Sequence, residues 1–114
     1  MPHIVIEHST DGHGHFDAAT LMRALHDAAA GTGVVQAADL KIRAVAYADY
    51  LVAGARDGFC HVSLYLLAGR TPEQKVRLSE TLRSVLIELL PRTQSLSVDI
   101  RDMDAVAYKK RLLY

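Results

Sequence analysis

The sequence holds one cysteine, Cys60. An internal disulfide is therefore excluded, and this usage fits a reducing compartment, so a cytoplasmic location is expected. No apolar run approaches the roughly 18 residues that a membrane-spanning helix requires. The start, Met1-Pro2-His3-Ile4-Val5-Ile6-Glu7, lacks the basic segment and long apolar stretch of a secretory signal. A charge imbalance is lacking too. Lys plus Arg number 13, Asp plus Glu number 13, and the net charge is zero with His neutral. That argues against a chain-wide basic footprint for nucleic acid and leaves room only for a local cationic pocket. Zero net charge also favours self-association, so a homo-oligomer is expected.

What is present is ordinary globular composition: 114 residues, 50% apolar and 23% charged. A chain of this length is expected to form one domain, here 1–114. It buries roughly two-thirds of its unfolded surface, enough for a core without metal or disulfide staples. His3 to Glu7 are mostly β-branched and predict a short buried strand. Ser9 to His15, with Asp11-Gly12 and His13-Gly14-His15, is turn chemistry. Leu21, Met22, Leu25, Ala28 and Ala29 fall on one helical stripe within 16–30, with Gly31 placed to end that helix. Residues 40–48 alternate as a strand. Residues 49–58 form a connection in which a helical turn over 50–55 fits. Residues 59–67 form the strongest strand pattern, with Cys60, Val62, Leu64 and Leu66 on one face.

The second helix is the best marked. Thr71 is placed as the N-cap, Pro72 at the first helical position and Gln74 as the capping-box partner. Leu78, Leu82, Val85, Leu86 and Leu89 continue as a stripe until Pro91 stops the helix. Residues 95–101 alternate again. The tail from Met103 to Tyr114 has no clear period and predicts a short hairpin or an arm packed on a neighbour.

The order is β-α-β twice, over about 2–48 and 59–102. Right-handed crossovers would make each half a parallel pair with both helices on one face. The expected class is α/β (α+β), a four-stranded sheet with two helices on one side. Its other face would carry Lys41, Arg43, Val45, Tyr47, His61, Ser63 and Tyr65. That mixture is too polar for a core and too apolar to be fully wet, and is suited to burial against another copy of the chain.

Two places carry distinctive chemistry. Initiator methionine is normally removed before a small residue, and proline qualifies. A chain beginning at Pro2 carries a secondary amine on a rigid ring. Burial and nearby cations would lower its pKa toward neutrality, which suits a base that removes a proton near a carbonyl. Retained Met1 would make that nitrogen an amide, with no basic role. The second place is Leu67-Ala68-Gly69-Arg70-Thr71-Pro72-Glu73-Gln74-Lys75. There Arg70 stands beside a helix N-terminus, where a guanidinium and backbone N–H groups both favour a carboxylate.

This turn resembles the Gly-Arg-Ser/Thr-x-Glu-Gln-Lys segment of 4-oxalocrotonate tautomerase, over His61 to Leu90. Nearly all of 2–102 resembles the double-length 5-carboxymethyl-2-hydroxymuconate isomerases of the same superfamily. The matching pieces are Met1 to Glu7, Ala30-Gly31-Thr32-Gly33, Leu40-Lys41-Ile42-Arg43, His61-Val62-Ser63-Leu64 and Ala68-Gly69-Arg70. The resemblance implies a homotrimer with the sheets inward, and no metal or organic cofactor. It implies a small dicarboxylate substrate, 5-carboxymethyl-2-hydroxymuconate, converted to its conjugated oxo form. Pro2 takes the base role, and Arg70 and Arg43 bind carboxylates. Lys41 stands where the family pattern has arginine and cannot make a fork-like contact. The same scaffold also carries dehalogenases, decarboxylases and keto–enol tautomerases. A silent trimer acting as a binding module is the reading from a different class.

Other residues invite blander readings. His8, His13 and His15 lie close together, but no carboxylate or Cys completes a recognised metal spacing. His3 and His61 fit hydrogen-bonded strand positions, and Cys60 fits a small buried apolar one. Tyr47 and Tyr65 fit interface positions. Arg77 and Arg83 belong to a solvated helix face, and Tyr108, Lys109, Lys110 and Arg111 to trimer or surface contacts.

Overall fold

The computed structural model describes residues 1–10 and 17–113. Chain order is β1 (His3–Ser9), α1 (Ala18–Gly31), a 3-10 turn (Ala37–Asp39), β2 (Lys41–Tyr47), β3 (Phe59–Leu67), α2 (Pro72–Leu89) and β4 (Ser95–Met103). The sheet order is β2-β1-β3-β4. β1 runs parallel to β2, β3 parallel to β4, and β1 antiparallel to β3 at the centre. Two crossovers of the same hand produce this order with both helices on one face.

The alternation in the strands explains the layering. Ile4, Ile6, Val62, Leu64 and Leu66 are fully buried, and Leu25, Leu78, Leu82 and Leu86 descend on them from the two helices. Each such side chain contributes about 1.5–3 kcal/mol relative to an exposed one. α2 starts as its sequence predicts. The Thr71 hydroxyl accepts from the Gln74 amide at 3.2 Å, and the Gln74 side chain accepts from the Thr71 amide at 2.9 Å.

Three local readings are corrected. Gly31 does not lie beyond α1 but is its last residue, and Gly33, at φ +76°, makes the left-handed turn. The reason is Thr32, whose hydroxyl donates to the Ala29 carbonyl at 2.7 Å and carries the chain one residue further before it must turn. The 50–55 segment is not helical. Val52 and Ala55 exchange backbone hydrogen bonds at 2.7 and 3.0 Å around Ala53 (φ +52°) and Gly54 (φ +78°), a tight reversal.

The tail does not start as a hairpin. Asp104 accepts from the amides of Val106 (2.8 Å) and Ala107 (3.1 Å), and its carbonyl accepts from Tyr108 N–H at 3.0 Å. These bonds, the Val106 one first, hold its carboxyl below the usual range. The resulting turn lays Tyr108 back on β1. His13 and His15 lie outside the described residues.

Candidate active site

The parallel register puts the start of β1 beside the start of β2. His3 pairs with Lys41, and the Lys41 amide donates to the Pro2 carbonyl at 3.1 Å. Met1 and Pro2 are both buried. The Met1 amine has its pKa lowered, first by burial, then by Lys110, Arg70 and Lys41, while Asp39 opposes them. Three cations therefore converge on one backbone end, and they come from three separate parts of the chain.

Arg70 reaches there because the turn after β3 leaves the sheet at Gly69, whose φ of +129° suits glycine. Its guanidinium is tied down by long hydrogen bonds to the carbonyls of Leu67 (3.3 Å) and Val34 (3.4 Å). Of five N–H donors, those bonds engage two, and the others stay available to an anion. Lys41 donates to the Asp39 carbonyl at 3.2 Å. Arg43 lies one pleat further along β2, where an Nη donates to His3 Nδ1 at 3.2 Å. His3, Val5, Arg43, Tyr65 and Met103 line a cleft of about 290 Å³ on the open face of the sheet. Pro2, Lys41 and Arg70 thus share one end of the molecule, with Arg43 linked to them through His3.

The same register separates the other candidates. Tyr47 pairs with Ser9, and His61 with Glu7. The far end of β1 is six residues from His3, about 20 Å away at roughly 3.3 Å per residue. There the Tyr47 hydroxyl donates to Glu7, a bond that raises the phenol pKa, and His61 Nδ1 sits 2.6 Å from the Ser97 hydroxyl. Tyr65, by contrast, pairs with His3 and belongs to the near end. His8 lies on the helix-covered side, its Nδ1 on the Ser9 carbonyl at 2.8 Å. Cys60 is buried and its thiol is pushed up to about 12, so it holds its proton and is no nucleophile. Arg77 and Arg83 are exposed on α2. Among the described residues no three His, Cys, Asp or Glu side chains are gathered to hold a metal ion. Nor is any helix there long and apolar enough to cross a membrane.

The chain matches the family described as 5-carboxymethyl-2-hydroxymuconate isomerase over residues 2–112. It belongs to the 5-carboxymethyl-2-hydroxymuconate isomerase family. Solved structures agree on the fold. A 5-carboxymethyl-2-hydroxymuconate isomerase from Deinococcus radiodurans R1 superposes with a TM-score of 0.84 at 22% identity, covering 96% of this chain and 88% of that one. A 5-carboxymethyl-2-hydroxymuconate delta-isomerase gives 0.74 at 23%, over 98% and 88%. The fused 4-OT Q0, a wild-type symmetric trimer, gives 0.76 at 28%, over 90% and 85%. No curated protein matches the sequence. Membership makes this chain an isomerase of the tautomerase superfamily, with the four-stranded, two-helix fold of its relatives.

Two residues near the amino-terminal end were invisible to periodicity. Lys110 reads in sequence as a surface cation, and Tyr108 as a contact residue. Both belong to the tail, and Tyr108 reaches β1 through the turn that Asp104 caps. The hydrogen bond between Tyr108 and His3 spans 105 positions, and no short-range pattern encodes such a pair.

Proposed function

We propose that the protein converts a 2-hydroxymuconate-type dicarboxylate, 5-carboxymethyl-2-hydroxymuconate, to its conjugated oxo form, with Pro2 as the general base. The observation that carries this is the grouping of Lys41, Arg70 and Lys110 around the amino-terminal end, where burial and charge lower the Met1 amine pKa and would act likewise on the Pro2 nitrogen once Met1 is gone. Met1 is only 7% exposed. Its removal leaves a methionine-sized space at the Pro2 nitrogen, flanked by those cations. The free secondary amine takes the proton of the 2-hydroxyl and returns it to a carbon of the conjugated chain. The C–OH becomes C=O, the double bonds shift, and one C–H bond forms. Arg70 and Arg43 bind carboxylates, and the same cations favour the dienolate that develops. The reaction as written needs no redox partner, metal or organic cofactor.

A homotrimer with the open sheet face inward accompanies this reading. Its support is the half-exposed apolar surface there, Val45 at 43% and Tyr47 at 38%, and the symmetric trimer of fused 4-OT Q0.

The test pairs intact mass with the rate of ketonisation of 5-carboxymethyl-2-hydroxymuconate. The expected result is loss of one methionine and fast turnover. Loss of methionine without turnover would redirect the search to other enols and vinyl halides on the same scaffold. Methionine retained on every chain would sink the free-proline mechanism and favour a non-catalytic binding module.

Lys41 sets a second expectation. A lysine contributes charge without a fork, so Lys41→Arg is expected to lower KM for the carboxymethyl substrate about 3–10-fold, with little change in kcat. A panel of dicarboxylates of different length checks whether the gain is specific to that substrate. An unchanged KM across the panel would place Lys41 outside carboxylate recognition.

A further inference from the structure

The hydrogen bonds around His3 have a forced direction. A guanidinium has no acceptor, so the Arg43 Nη at 3.2 Å must donate to His3 Nδ1. Nδ1 therefore carries no proton, and the neutral imidazole carries its hydrogen on Nε2. Nε2 lies 2.8 Å from the Tyr108 hydroxyl. That N–H must donate to the phenol oxygen, which leaves the phenol's own hydrogen to point elsewhere. None of the hydrogen bonds among the described residues uses that hydrogen. Burial, Arg43, Lys41 and the amino terminus all keep the His3 pKa low, which agrees with a neutral ring. The ring of Tyr108 is held edge-on to His3, with centroids 6.0 Å apart and planes at 75°. The phenol is thus half-buried and held against His3, the residue that follows Pro2.

We propose that the Tyr108 hydroxyl, oriented by His3, donates a hydrogen bond to the 2-oxygen of the substrate, the atom that becomes the carbonyl. Arg43, His3 and Tyr108 then form a chain of donors that runs from a guanidinium to the reacting oxygen. Arginine binds the carboxylate end, and the same arginine, through the imidazole, sets which way the phenol points. As negative charge builds on the 2-oxygen, a neutral phenol donor stabilises it without the tight ion pairing that a cation would bring. The assignment rests on the proline-base reading of this site. It also gives the folded-back tail a purpose, since Asp104 holds the turn that brings Tyr108 to β1.

Tyr108→Phe keeps the ring and its packing on His3 and removes only the hydroxyl. The probes are 2-oxoadipate, a stable 2-oxo dicarboxylate, and adipate, which lacks the oxo group. Calorimetry is expected to show Tyr108→Phe binding 2-oxoadipate about 10-fold more weakly, with adipate affinity unchanged. Turnover of 5-carboxymethyl-2-hydroxymuconate is expected to fall about 10²-fold in kcat with KM changed less than 3-fold. Equal affinity of variant and wild type for 2-oxoadipate would overturn the proposal. So would equal weakening of both ligands, or a wild type that binds neither. Failure of the proline reading shows separately, as wild-type turnover in Pro2→Ala, while the comparison of the two ligands still reads Tyr108.

Discussion

Pro2→Ala is expected to lower kcat for ketonisation by about 10²-fold with KM nearly unchanged, within the range that a positioned general base supplies. The variant retains an amine if Met1 is removed, but a primary one on a rotating backbone. It loses the more basic secondary nitrogen and the ring that holds it beside β1. Chains that keep Met1 carry an amide at Pro2 and are expected to be inactive, so activity should scale with the fraction of processed chains. The pH profile gives the sign. An ordinary α-amine titrates near roughly 8. Burial, and then Lys110, Arg70 and Lys41, lower the Met1 amine value here, and the Pro2 nitrogen one residue on is expected to feel the same groups once Met1 is removed. The neutral, basic form is lost as pH falls through the lowered pKa, so kcat/KM should rise with pH and level off at a lower pH than an unperturbed amino-terminal proline would give. Removing one of the cations should move the rise to higher pH. A profile whose rising limb stays put in Lys110→Met would show that this cation does not act on the base.

Arg70→Ala is expected to raise KM and lower kcat together, with kcat/KM down about 10²-fold, equivalent to about 2.7 kcal/mol. Two roles meet in this side chain. It presents donors to a carboxylate, and it lowers the pKa of the base. Loss of the first weakens ground-state and transition-state binding alike. Loss of the second leaves more of the amine protonated at neutral pH and lowers kcat. Arg70→Lys should restore most of the pKa effect and little of the binding, because an ammonium cannot form two parallel bonds. The guanidinium also bonds the Leu67 and Val34 carbonyls, but at 3.3 and 3.4 Å these contacts are long. The thermal midpoint should therefore move far less than the kinetics. An unchanged kcat/KM would remove Arg70 from the site.

Much of this protein was legible in the chain itself. Period-2 alternation over 40–48, 59–67 and 95–101 marks the strands that form at 41–47, 59–67 and 95–103, and the Thr71-Pro72-Glu73-Gln74 start marks α2, because both signals are written in neighbours a few residues apart. Pro2 and Arg70 could be singled out for the same reason: an end-of-chain amine and a Gly-Arg turn before a capped helix are local chemistry. Their convergence was beyond local reading. It depends on the His3–Lys41 register and on the left-handed turn at Gly69, which carry Lys41 and Arg70 to the amino-terminal end.

The tail shows the limit most clearly. Nothing periodic links Tyr108 to His3, because this contact is made across 105 positions by a turn that Asp104 caps. Gly31 and Gly33 show it on a small scale, where a threonine hydroxyl moved the helix end by a residue. The sequence by itself determined the elements, their faces and the chemical kinds of residue on offer, since burial periodicity and capping act over one or two turns. The tertiary structure alone decided which cations lie near the amino-terminal end, which tyrosines meet His3 and which way His3 donates. Those are consequences of strand register and chain reversal, and register is a global minimum of packing that no single segment encodes.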